Sequence, residues 1–138
     1  MLYLIIAHYN NNLKWIKEFI EYKNLQIIIY SKSSNPPSEF YGISVINRLN
    51  AGREGETYIN HIIANYHNLN KKDYTIFLQD DPFEHQPNII NILKLLIILD
   101  KQNKVPLLQP INSHTYQAIK KDMLNKITIK VIIGTSKA

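Results

Sequence analysis

The chain has 138 residues, enough for one domain and too few for two cores of ordinary size. Its 45% hydrophobic and 20% charged content excludes a disordered tail, and the lack of cysteine excludes disulfides, thiolate metal sites and thiol catalysis. Sixteen Lys and Arg against eleven Asp and Glu give a net charge of +5. Only Arg48 and Arg53 are arginine, so the charge reads as a lysine-rich surface and not as a nucleic-acid groove.

Leu2 to Ala7 is a short apolar run without helical period, read as a buried strand that ends in His8-Tyr9-Asn10. It lacks the basic leader of a signal peptide. No apolar run reaches the roughly 18 to 20 residues of a membrane span, and a cytoplasmic protein without a span is expected. Asn10, Asn11 or Asn12 can cap an amphipathic helix that runs from Leu13, through Trp15, Ile16, Phe19 and Ile20, to about Tyr22. Leu25 to Tyr30 is a second strand, Ser31 to Ser38 a loop, and Ile43 to Ile46 a third strand.

From Arg53 a second helix is expected, with Tyr58, Ile59, Ile62, Ile63, Tyr66 and Leu69 as one apolar stripe. Tyr74 to Leu78 is a fourth strand, followed by Gln79-Asp80-Asp81-Pro82. Asn88 to about Leu99 is almost wholly apolar and predicts a helix buried on most sides. A helix from His114 to Leu124 and a strand from Ile127 to Ile133 complete the chain. This alternation predicts a single α/β domain over 1–138, an open, mostly parallel sheet with helices on both faces.

In such sheets ligands bind beyond the carboxyl ends of the strands. There the sequence places His8, Tyr9 and Asn10, then Lys32, then Asp80 and Asp81, while Arg53 and Glu54 open a helix whose N–H groups could face an anion. Adjacent carboxylates repel unless a cation or hydrogen-bond donors compensate, so Asp80 and Asp81 suit Mg2+ or Mn2+ bridged to a diphosphate, with His85 as a nitrogen ligand. The alternative is a turn in which the aspartates cap local N–H groups. Arg53 either clamps a phosphate or pairs with a nearby carboxylate, Trp15 packs by its helical spacing, and His61 is assigned nothing. No G-x-G-x-x-G follows the first strand, and there is no Walker A loop and no G-x-S-x-G elbow.

Three segments carry a resemblance: Ile6-Ala7-His8-Tyr9-Asn10 with Leu13 and Trp15, Asn50-Ala51-Gly52-Arg53-Glu54 with Thr57-Tyr58 and His61-Ile62, and Phe77-Leu78-Gln79-Asp80-Asp81-Pro82-Phe83-Glu84-His85. They resemble an uncharacterised family of fungi, protists and viruses with the patterns A-x-Y-N-x-x-L-x-W, N-x-G-R-E-x-x-T-Y-x-x-H-I and F-L-Q-x-x-P-F-x-H. That family is similar to glycosyltransferases of the GT-A fold. The resemblance implies a nucleotide-sugar donor, a UDP-sugar first among them, a glycan or protein acceptor, and Mn2+ or Mg2+ on Asp81 with Asp80 or His85. It puts His8, Tyr9 and Asn10 on the nucleotide side and Arg53 near the diphosphate, and Gln79 stands where the first acid of a D-x-D motif would be. Glu84 is the candidate base for an acceptor hydroxyl. Only about 50 residues follow the acidic segment, short for an acceptor site. A non-catalytic nucleotide- or carbohydrate-binding module and a metal-dependent hydrolase are the alternatives.

Overall fold

The computed structural model describes residues 1–68, 73–84, 86–103 and the strand 130–134. Six strands form one open sheet: β1 (Leu2–His8), β2 (Leu25–Ser31), β3 (Glu39–Phe40), β4 (Ile43–Asn47), β5 (Tyr74–Gln79) and β6 (Lys130–Gly134), in the order β3-β4-β2-β1-β5-β6. All pairings are parallel except the β3–β4 hairpin at one edge. The hairpin lay unread in the sequence; it turns through Tyr41 and Gly42, both at positive φ, where the glycine meets no steric penalty.

β1 is central because it is apolar on both faces; it pairs Leu2 with Leu25 of β2 and with Tyr74 of β5. Among the described residues two α-helices cover the sheet, one on each side. On one face α2 (Ile89–Lys101) and the segment after β1 bury Leu4, Ile6, Ile16, Phe19, Ile76, Leu78, Leu93 and Leu96 together. On the other, α1 (Glu54–Asn65) sets Tyr58 and Ile62 on Ile5 and Phe77. Among the described residues no helix is long and apolar enough to cross a membrane.

Three expectations are corrected. The helix expected over Leu13–Tyr22 is a 3₁₀ helix, Lys14–Phe19. Its bonds run from residue i to i−3, Ile16 N–H to the Leu13 carbonyl and, just beyond, Tyr22 N–H to Phe19. The apolar residues Ile16, Phe19 and Tyr22 recur at three, which suits that tighter turn and leaves Ile20 40% exposed. In α1 the inward stripe is Thr57, Tyr58, His61 and Ile62, while Ile59 and Ile63 face out. In α2 only one face is buried, and Leu95 and Ile98 are more than half exposed. The helix expected over 114–124, Leu69 and the start of the last strand lie outside the described residues.

Candidate functional site

The chain leaves β1 for β2 and β4 on one side, then crosses to β5 on the other. The connections that leave the carboxyl ends of the paired strands β1 and β5 therefore run to opposite sides, the switch point at which such sheets leave a crevice. A cavity of about 450 Å3 lies there, lined by His8 and Tyr9 at the end of β1, Lys32 after β2, Asn50, Gly52, Arg53, Glu54 and Thr57 around the start of α1, and Gln79 and Asp80 at the end of β5. Ligand sites typically enclose roughly 300–1,000 Å3, so the space suits a small molecule.

Several of the expected ligand-binding groups are occupied by the protein itself. The buried Asp80 carboxylate accepts the Tyr9 N–H at 2.8 Å and the Asn11 N–H at 3.1 Å on Oδ2, and the Asn11 amide at 2.9 Å on Oδ1. The Trp15 indole N–H donates to the Asp80 carbonyl at 2.9 Å, so Trp15 packs in the core and ties down the same turn. These are the bonds of a loop anchor, in place of the open carboxylate expected of a metal ligand. Lys32 is buried and its ammonium donates to the carbonyls of Ala51 and Arg53, at 2.8 and 2.9 Å, and pairs with Glu56 at 2.6 Å. Glu56 also takes the Arg48 guanidinium, and the two cations hold its carboxyl below the usual range. Lys32, Arg48 and Glu56 thus latch the loop before α1 to the helix. His8 bonds through Nδ1 to the Ser31 hydroxyl at 2.7 Å and through Nε2 to the Asn11 carbonyl at 3.0 Å. An acceptor at Nε2 makes that nitrogen the protonated one in the neutral ring.

The groups with capacity to spare are different ones. Arg53 lines the cavity, is exposed, and its guanidinium has no hydrogen bond or ion pair among the described residues. It precedes the first turn of α1, where no side chain caps the helix. Glu54 accepts the Gln79 side-chain amide at 2.9 Å. Beneath them the Tyr58 hydroxyl is buried without a hydrogen-bond partner, and burial, helped by the Glu54 and Asp80 carboxylates, pushes its phenol well above the ordinary value.

Asn10, Asp81 and Glu84 are exposed and do not line the cavity. The Asp81 carboxylate accepts the Phe83 N–H at 3.3 Å, the local turn cap that the sequence also allowed. His85 lies outside the described residues. Among the described residues no three His, Cys, Asp or Glu side chains are grouped as a metal site.

Sequence reasoning passed over Asn11, Glu56 and Thr57, which bond or line the site, and His61. The His61 ring is buried under α1, bonded through Nδ1 to the Tyr30 hydroxyl at 2.7 Å. Only the i, i+4 spacing of Thr57 and His61 on α1 signals their shared face.

A family model matches residues 4–104, about three quarters of the chain and every residue that lines the cavity. The chain belongs to the family described as Protein of unknown function (DUF3431). No curated protein and no solved structure matches it. Within the DUF3431 span lie all three motif segments of the sequence, and with them Arg53, the Glu54–Gln79 pair and the anchored Asp80.

Proposed function

We propose that the cavity binds a nucleoside-diphosphate sugar and that the chain transfers the sugar to an acceptor hydroxyl, as a small glycosyltransferase of the GT-A kind. The observation that carries this reading is Arg53. An exposed, unpaired guanidinium beside the uncapped first turn of a 12-residue helix, on a cavity at the sheet's switch point, suits a diphosphate. A guanidinium offers paired donors to phosphate oxygens, and the helix terminus adds N–H groups and partial positive charge. The same charge would stabilise the diphosphate as it leaves. Among the described residues the counter-charge comes from Arg53 and the start of α1, and a divalent cation, where one binds, would be held by Asp81.

A second reading, binding without turnover, is favoured by one observation: Asp81 and Glu84, the carboxylates first considered for chemistry, stand outside the lining. A thermal-shift panel of UDP, GDP, dTDP and their sugars, with and without Mn2+, tests both. Ligand at about 100 times its Kd adds about 2.7 kcal/mol, a shift of several degrees for a domain of this size. We expect a shift with one nucleotide that Mn2+ does not govern and that Arg53→Ala abolishes. Equal shifts in the wild type and R53A would overturn the assignment, and a shift without acceptor-dependent release of nucleoside diphosphate would select the binding module. A shift that requires Mn2+ would return the cation to Asp81.

A further inference from the structure

Resting on the reading above, we infer that Glu54 and Gln79 form a recognition pair for a vicinal diol, and so determine which ligand the site takes beyond its phosphates. Several polar groups lining the cavity are already committed to partners within the protein. Asp80 holds three donors, Lys32 holds two carbonyls and a carboxylate, and both nitrogens of His8 are bonded. None of them has more than a residual bond to offer. Glu54 and Gln79 differ: they bond to each other once, through Gln79 Nε2 and Glu54 Oε1 at 2.9 Å, and both side chains line the cavity half-buried.

An ionised carboxylate can only accept, so Gln79 must turn its amide N–H to Glu54. That leaves Glu54 Oε2 as an acceptor with no partner among the described residues, and leaves on Gln79 one more N–H and a carbonyl oxygen. An acceptor-rich carboxylate next to an amide that both donates and accepts matches two neighbouring hydroxyls, each of which donates one bond and accepts another. A phosphate is not matched, since it would meet the Glu54 charge. An amide at position 79 fits this partner, since a carboxylate there would stand against Glu54 and repel it. Phosphate and diol are thus read by adjacent residues, Arg53 and Glu54, on one turn of α1.

The ribose of the nucleotide and the hexose that it carries both offer such a diol, and the probes separate them. Binding of inorganic pyrophosphate, UDP, 2′-deoxy-UDP and UDP-glucose, with the guanine counterparts where the panel selects them, is measured by calorimetry on the wild type, Glu54→Gln and Gln79→Ala. Loss of a hydrogen bond to a charged group should weaken the diol-bearing ligand by about tenfold to a hundredfold, while pyrophosphate binding is kept or strengthened in E54Q. A loss shared by UDP and UDP-glucose, with 2′-deoxy-UDP already weak on the wild type, assigns the ribose; a loss confined to UDP-glucose assigns the hexose. Equal weakening of pyrophosphate and nucleotide sugar in both variants, or no weakening in either, overturns the inference. Failure of the wild type to bind any of the phosphates defeats the underlying reading instead. Q79A keeps the test decisive if E54Q does not fold, because Gln79 ends a strand and Glu54 begins a helix.

Discussion

At the residue scale, Asp80 and Asp81 are neighbours with opposite duties. Asp80 is buried and its two oxygens gather the turn after β1, whereas Asp81 is exposed and accepts one long bond. Replacing Asp80 by Asn turns an amide N–H2 toward at least one of those donors and leaves a buried N–H unpaired. Asp80→Asn should cost about 2–3 kcal/mol of stability, since an unsatisfied buried group near a charge-assisted bond carries that penalty. Asp81→Ala should cost under about 0.5 kcal/mol, the usual range for an exposed site. Urea unfolding of the two variants checks this, and similar losses for both would remove the anchor role from Asp80. The sequence showed the acidic pair plainly. It did not show which member folds inward, because that depends on Tyr9 and Asn11, some 70 positions away in the chain.

At the element scale, the entry into α1 shapes the cavity. Gly52 has φ of +70°, and a Cβ there would meet the Glu56 Cβ at 2.8 Å. The latch of Lys32 and Arg48 on Glu56 holds this turn against the helix, so the contact cannot relax without loosening both ion pairs. Gly52→Ala should therefore lower stability by about 1–2 kcal/mol, the penalty of a left-handed residue with a side chain. It should also weaken nucleotide-sugar binding, since Arg53 is the next residue. Unfolding midpoints and the thermal-shift panel on the variant measure the two effects; an Ala variant with wild-type stability and affinity would show that the turn is not constrained. The helix itself was legible from Arg53 onward. Its inward face was legible in part: Tyr58 and Ile62 are buried as expected, whereas Ile59 and Ile63, which hydropathy also selects, face out and Thr57 and His61 turn inward.

For the molecule as a whole, His61 links folding to pH. Burial lowers its imidazole from 6.5 to about 4, so the folded chain keeps it neutral, with Nδ1 near the Tyr30 hydroxyl. Between pH 6.5 and about 4 the unfolded chain takes up a proton there that the folded chain refuses. Stability then rises with pH across that window and falls as the pH is lowered through it. Urea midpoints at several pH values should show this slope in the wild type and a shallower one in His61→Gln. Identical slopes in the two proteins would mean that other groups carry the acid sensitivity.

The amino-acid sequence by itself determined the alternation of strands and helices, the burial of the doubly apolar β1, and the rim where polar residues collect. These follow from local periodicity and from burial on one or both faces of a strand, which a sequence displays directly. The tertiary structure decided which polar groups at that rim are already satisfied. His8, Lys32 and Asp80 look available in a list of residues, yet each is held by partners 3 to 71 positions away. Arg53, and the outer sides of Glu54 and Gln79, keep their bonding capacity only because the folded chain brings no partner to them among the described residues. Hydrogen-bond satisfaction is a property of packing between distant segments, and for that reason it became visible only in the fold.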